Sequence, residues 1–240
     1  MTTLQRERHD AGTEVLRLSR PEVRNALDSP TLAALQRALA ELMADEELRV
    51  LVLSTTDQRA FCAGADVAER LDRDGGVARM EAFARVYAAI ETFPSPTVCV
   101  CVGNVVGAGA EIAAGCDLRV GGDNLKLSWP GARLGVPVGP ARLVPLVGVS
   151  RAKELILTGR TIGMDEANAL GLLAATAPAG QAEDAALALA REIAAHPPQG
   201  VRRVKALFGE LDRTAARVTR ENAGLIEWQR GGPGLPGFDP

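Results

Sequence analysis

The sequence predicts an α/β fold followed by an all-helical C-terminal part, and two observations carry that expectation. Short runs rich in β-branched residues alternate with longer amphipathic stretches up to about residue 140, and beyond it only helical patterns continue. The runs Val15–Leu18, Val50–Ser54, Thr97–Val102 and Asp117–Val120 read as strands. Thr31–Met43 repeats apolar residues at helical spacing behind Asp28-Ser29-Pro30, which supplies a cap and a first-turn proline. Val77–Phe93 is a second such stretch, closed by Pro94-Ser95-Pro96. Helices are then expected at Ala141–Leu146, Ser150–Leu157, Met164–Leu170, Ala182–Ala195 and Val201–Glu221. This divides the chain into a body over 1–140, a helical region over 141–230 and an irregular Gly/Pro-rich tail over 231–240.

Composition narrows the function. The 240 residues are 47% apolar and 24% charged, with a formal net charge of −3 and 3% aromatic residues. A slightly acidic, aromatic-poor chain lacks the basic patch and stacking platforms of nucleic-acid binding. The one short basic cluster, Arg202, Arg203 and Lys205, reads either as a solvated helix face or as a phosphate contact. Two histidines, His9 in a polar N-terminal stretch and His196 before two prolines, leave no parts for a histidine metal site or a Ser-His-Asp triad. Cys62, Cys99, Cys101 and Cys116 form no CxxC pair, and free thiols in a reduced, cytoplasmic setting are expected. No apolar run reaches the roughly 20 residues of a membrane span, and the charged N-terminus does not resemble a signal peptide. No membrane or nucleic-acid partner is expected, and no metal.

Two small-residue turns each follow a strand and precede a helix: Ala60–Asp66 and Gly103–Glu111. Such turns allow either tight packing or close approach of a ligand to free amides at a helix start, and two side by side would make an oxyanion hole. Gly107-Ala108-Gly109 is not a dinucleotide fingerprint, because its third glycine falls on Ile112. Gly148-Val149-Ser150-Arg151-Ala152 resembles a nucleophile elbow but lacks the closing glycine and a histidine, and reads as a helix cap. Glu111 is the single charge between Val105 and Cys116, in a helix apolar on all sides and therefore buried. A buried carboxylate is either used or paired. Glu111 is thus a general acid/base beside the amide of Ala108, or a structural partner of an arginine such as Arg119 or Arg142.

Taken together, Arg20-Pro21-Glu22-Val23-Arg24-Asn25-Ala26-Leu27, the turn 60–66, the segment 97–117, and Leu155-Thr158-Gly159-Arg160 followed by Ala167-Ala169-Leu170-Gly171-Leu172 resemble the crotonase superfamily, the enoyl-CoA hydratase/isomerase family. The likeness covers about residues 12–215. It implies a ββα spiral core, a helical C-terminal region that trimerises, and a homotrimer or dimer of trimers. It also implies coenzyme A thioester chemistry, with coenzyme A part of the substrate and no separate cofactor. The oxyanion amides map onto Ala65 and Ala108, and coenzyme A contacts onto Val23, Arg24 and the turn of Ala63, Gly64 and Asp66, with Gly107 beside the substrate. Trp129 and Trp228 are read either as walls of an acyl pocket or, more commonly for tryptophan, as core or interface packing. Family hydratases use two glutamates. The first maps onto Glu111; where the second is due, after Ser128-Trp129-Pro130, this chain has Gly131. That departure favours isomerisation or a lyase reaction over efficient hydration. Competing expectations are a catalytically weak acyl-CoA-binding homologue and a structural assembly subunit.

Overall fold

A computed structural model describes residues 3–232 together with Gly234 and Leu235. The main sheet opens with an antiparallel hairpin, β1 (Leu4–His9) and β2 (Thr13–Leu18), and continues in parallel through β3 (Val50–Thr55) and β5 (Thr97–Cys101). Between these run α1 (Ser29–Met43), β4 (Ala60–Cys62) and α2 (Arg73–Glu91). After β5 come β6 (Asn104–Val106), α3 (Ala108–Gly115), β7 (Leu118–Gly122) and β8 (Lys126–Ser128). The strands β4, β6 and β8 form a second, parallel sheet of their own. The chain ends with α4 (Pro140–Thr158), α5 (Met164–Ala169), β9 (Ala175–Ala177), α6 (Ala182–Ala194), α7 (Pro198–Leu211) and α8 (Thr214–Gly231).

The sequence patterns explain the helix starts. The Asp28 carboxylate accepts from the Thr31 amide at 2.9 Å and caps α1, whose Leu32, Leu35, Leu39 and Leu42 lie on the buried face. Asp72 caps α2 in the same way through the Gly75 amide at 2.7 Å. Period-two alternation decides which core each strand serves. Leu51, Leu53, Cys99 and Cys101 point into one core with α1, α2 and α3, while Val50, Val52, Val98 and Val100 point into the other. Cys99 and Cys101 share a face as expected, with their sulfurs 3.8 Å apart, and all four cysteines are free and buried.

Several sequence expectations need correction. The polar N-terminal stretch containing His9 is a strand: Arg6 and Arg8 of β1 both pair with Glu14, and charges of this kind suit a sheet edge. The two small-residue turns each contain a three-residue strand, which is too short for a periodic signal. Beyond residue 140 the strand signal fades, yet β9 extends the main sheet beside β7, and α6 seals its second face through Ala182, Ala186, Ala190 and Ala194. The α/β body therefore draws two elements from beyond residue 140.

The helical stretches 141–146 and 150–157 are one helix, α4, broken at Gly148 (φ 75°), so this glycine kinks a helix and forms no nucleophile elbow. The stretch 201–221 is two helices, divided at Arg213 (φ 52°). Of the expected irregular tail, Gly231 ends α8 and Leu235 is buried, while Pro233 and residues 236–240 lie outside the described residues.

Candidate active site

The two turns meet. Gly64 adopts φ 106°, which disfavours any residue with a Cβ, and a Cβ there would stand 3.1 Å from the Val106 carbonyl and 3.8 Å from the Ala108 amide nitrogen. Gly109 lets α3 approach β4 so closely that a Cβ would reach 2.4 Å from the Cys62 carbonyl. Ala108 is the first residue of α3, a position whose amide has no intrahelical acceptor. Ala65 forms a parallel bridge to Leu27, built from Leu27 donating to the Gly64 carbonyl at 2.8 Å and Asp66 donating to the Leu27 carbonyl at 3.0 Å. That pattern turns the amide of Ala65 itself away from Leu27.

Both alanines line a cavity of about 210 Å³ together with Ala63, Gly64, Gly107 and Glu111. Its remaining wall is apolar: Met80, Phe83 and Tyr87 from α2, Trp129, Val136 and Val138 from the segment after β8, and Leu225 and Leu235 from the C-terminus. Trp129 is buried and its indole Nε1 has no hydrogen-bond partner among the described residues. Gly131 lines the same cavity, and Glu111 is the one carboxylate among the described lining residues. A larger groove of about 700 Å³, lined by Trp228, Arg217 and Arg220, lies against α4 and α8 and holds none of the expected oxyanion or acid/base residues.

Val23 and Arg24 sit beside the first turn. Arg24 takes a left-handed conformation (φ 53°), and its carbonyl accepts from the Ala63 amide at 3.0 Å. Asn25, also left-handed (φ 55°), is buried and ties this loop to β4 through Ala60 and Phe61 carbonyls at 3.0 and 3.1 Å. Arg20 completes the clamp, pairing with Asp28 at 2.9 Å and Asp66 at 3.2 Å. Val23, Arg24 and Asp66 are therefore joined to the turn without lining the cavity. The basic cluster is spoken for: Arg202 donates to the Leu48 carbonyl at 2.8 Å, Lys205 pairs with Asp117 at 2.6 Å, and Arg203 pairs with Glu210 at 3.2 Å.

Glu111 is 1% exposed, and its Oε2 lies 3.1 Å from Nη1 of Arg142, whose side chain is itself wholly buried. Arg142 is the arginine that answers Glu111; Arg119 turns instead to the carbonyls of Cys116 and Leu172, at 2.8 and 2.6 Å. Burial pushes the Glu111 carboxyl up to about 8, with Arg142 pulling the other way and Glu221 and Glu91 adding to the rise. Burial likewise lifts Glu91 to about 7. A carboxyl poised near neutrality beside two amides that have no acceptor among the described residues can take and return a proton at carbon while charge gathers on a nearby oxygen.

A family profile described as Enoyl-CoA hydratase/isomerase matches residues 8–227. The chain belongs to that family. It is 32% identical over 207 residues to 2,3-dehydroadipyl-CoA hydratase of Escherichia coli, covering 85% of this chain and 81% of the relative. It is 30% identical over 193 residues to the short-chain-enoyl-CoA hydratase of Clostridium acetobutylicum, covering 78% and 74%. The crystal structure of an enoyl-CoA hydratase from Bacillus anthracis superposes with a TM-score of 0.82 at 27% identity, over 94% of this chain and 92% of that one. The crotonase fold expected from the motifs is thereby shown.

Sequence reasoning found Trp129 in the apolar half of the cavity and missed the rest of it. Met80, Phe83 and Tyr87 recur at helical spacing on α2 and carry a readable signal of a buried face, though not of a cavity. Leu225 and Leu235 carried no signal, because only the return of α8 over α2 brings them there.

Proposed function

We propose that this enoyl-CoA hydratase/isomerase family enzyme acts on acyl-CoA thioesters through an enolate, with the Ala65 and Ala108 amides holding the thioester oxygen and Glu111 moving the proton. Coenzyme A enters as part of the substrate, along the Val23-Arg24 and Ala63–Asp66 backbone, and neither a metal nor a separate cofactor takes part. The observation that carries this reading is that Glu111 shares one apolar cavity with both alanines and with no second carboxylate among the described lining residues. One base can remove a proton from carbon and return it elsewhere on the same substrate, shifting a double bond. Orienting and deprotonating a water at the β-carbon asks for a second group, and Gly131 offers none. Isomerisation or a lyase step is accordingly proposed over hydration, although the relatives named above carry hydratase names. The chain is proposed to work as a homotrimer or a dimer of trimers.

The test compares hydration of a short 2-enoyl-CoA with isomerisation of the matching 3-enoyl-CoA, in the native protein and in Glu111→Gln. Isomerisation is expected to exceed hydration, and Glu111→Gln to abolish both while binding persists. Hydration that survives Glu111→Gln would overturn the mechanism. Tight thioester binding without turnover of any kind would favour an acyl-CoA-binding homologue, a reading that Gly131 also favours.

A further inference from the structure

Arg142 stands at the centre of a buried charge cluster drawn from four helices. Besides Glu111 of α3, its guanidinium meets Glu221 of α8 at 2.6 Å and Glu91 of α2 at 3.1 Å. The Glu91 approach is a charge contact without the direction of a hydrogen bond. Asn222 accepts from Nη2 at 3.0 Å and is itself anchored to the Ala84 carbonyl at 3.0 Å, while the Tyr87 ring lies under the guanidinium, 4.4 Å from its centre. One cation thus faces three carboxylates whose side chains are 1%, 6% and 10% exposed. Glu221 has a second tie, to the Ala141 amide at 2.7 Å.

We propose that Arg142 is a positioning residue that aims Glu111 at the acyl cavity and, because Glu91 and Glu221 draw on the same guanidinium, sets how readily Glu111 gives up its proton. This rests on the reading of Glu111 as the acid/base. A guanidinium does not release its proton at any working pH, so Arg142 relays nothing; it supplies orientation and charge. Three ionised carboxylates outnumber Arg142 and the more distant Arg217, which acts on Glu91, so a negative charge would stay uncompensated in a dry interior, and such a cluster relieves itself by keeping a proton. The groups facing it are Glu91 and Tyr87 from α2, Arg142 from α4, and Arg217 and Glu221 from α8, with the buried Cys62 thiol of β4 acting on Tyr87. Glu91 and Glu221 lie outside the cavity lining, so they act on Glu111 only through Arg142 and through space. Gly139 leaves room beside Glu111: a Cβ there would stand 3.3 Å from Oε1.

The experiment titrates the carboxyl carbons of ¹³C-labelled glutamate by NMR, with the Glu111 signal identified by its loss in Glu111→Gln. In parallel, exchange of the α-protons of butyryl-CoA for solvent deuterium is followed as a function of pH. Glu91→Gln and Glu221→Gln both keep Arg142, and each is expected to move the Glu111 midpoint and the acid limb of exchange down by about one pH unit, as removal of a nearby like charge should. Arg142→Lys keeps the charge but reaches fewer partners, and is expected to move both up and to slow exchange about 10-fold to 100-fold. A Glu111 midpoint unmoved in both glutamine variants would overturn the proposal and leave the cluster a structural ion pair. Midpoints that move as expected with no exchange at any pH would uphold the cluster's hold on the Glu111 proton and overturn the acid/base reading, and with it the aiming role of Arg142.

Discussion

Val136 folds back onto Gly131: its amide donates to the Gly131 carbonyl at 2.8 Å, and its own carbonyl lies 2.8 Å from where a Cβ on Gly131 would stand. The turn that carries residue 131 into the cavity is closed too tightly for a side chain. Gly131→Glu is therefore expected to destabilise the protein by about 1 to 3 kcal/mol, the usual cost of overpacking, and not to install hydration. Thermal unfolding and a 2-enoyl-CoA hydration assay check the two parts. A stable Gly131→Glu protein with raised hydration would show that the turn can open.

The amide of Ala108 can be removed with little harm to the helix. Proline is welcome at the first position of a helix, where its missing donor satisfies no intrahelical bond. Ala108→Pro is expected to fold and to lose roughly 100-fold to 1,000-fold of any enolate-forming turnover, as loss of one oxyanion donor does. Steady-state rates beside a melting curve decide it; a folded variant with near-native turnover would contradict the assignment of this amide.

Stability should fall as pH rises through neutrality. Glu111 and Glu91 have an ordinary carboxyl value of 4.5 and are lifted by burial to about 8 and about 7 in the fold. Between the unfolded and folded values the native state binds more protons than the unfolded one, so each step up in pH favours unfolding. The melting temperature is expected to decline from about pH 5 to pH 8. Glu111→Gln, which cannot ionise, should flatten the upper part of that decline. A melting temperature that climbs across the same window would contradict the raised values.

The C-terminal helices leave apolar surface uncovered. α7 has no buried residue, and Val204, Leu207, Phe208 and Leu211 are 53%, 40%, 68% and 82% exposed. An apolar face of this kind on one helix suits contact with further copies of the chain. Sedimentation at micromolar concentration is expected to give a trimer or hexamer, and Phe208→Glu combined with Leu211→Glu to give a smaller species. A native protein that sediments as a monomer would remove the proposed assembly.

Local pattern was enough for much of the fold and half of the site. The valine-rich runs at 50–54 and 97–102, the capped stretch after Asp28, the two small-residue turns and the isolated Glu111 are all legible because each depends on neighbours within a few residues. The charged strand β1, the strand β9 and the alanine face of α6 were not, since each becomes part of the sheet only through partners far along the chain. The same holds for the site. The sequence by itself determined that one carboxylate would be buried beside the second turn and that none would stand at residue 131. Tertiary structure alone decided that this carboxylate faces Arg142, 31 residues away, with Glu91 and Glu221 drawing on the same guanidinium. A lone buried charge announces that it needs a partner; which arginine answers depends on how α3, α4 and α8 pack, and packing is a property of the whole chain.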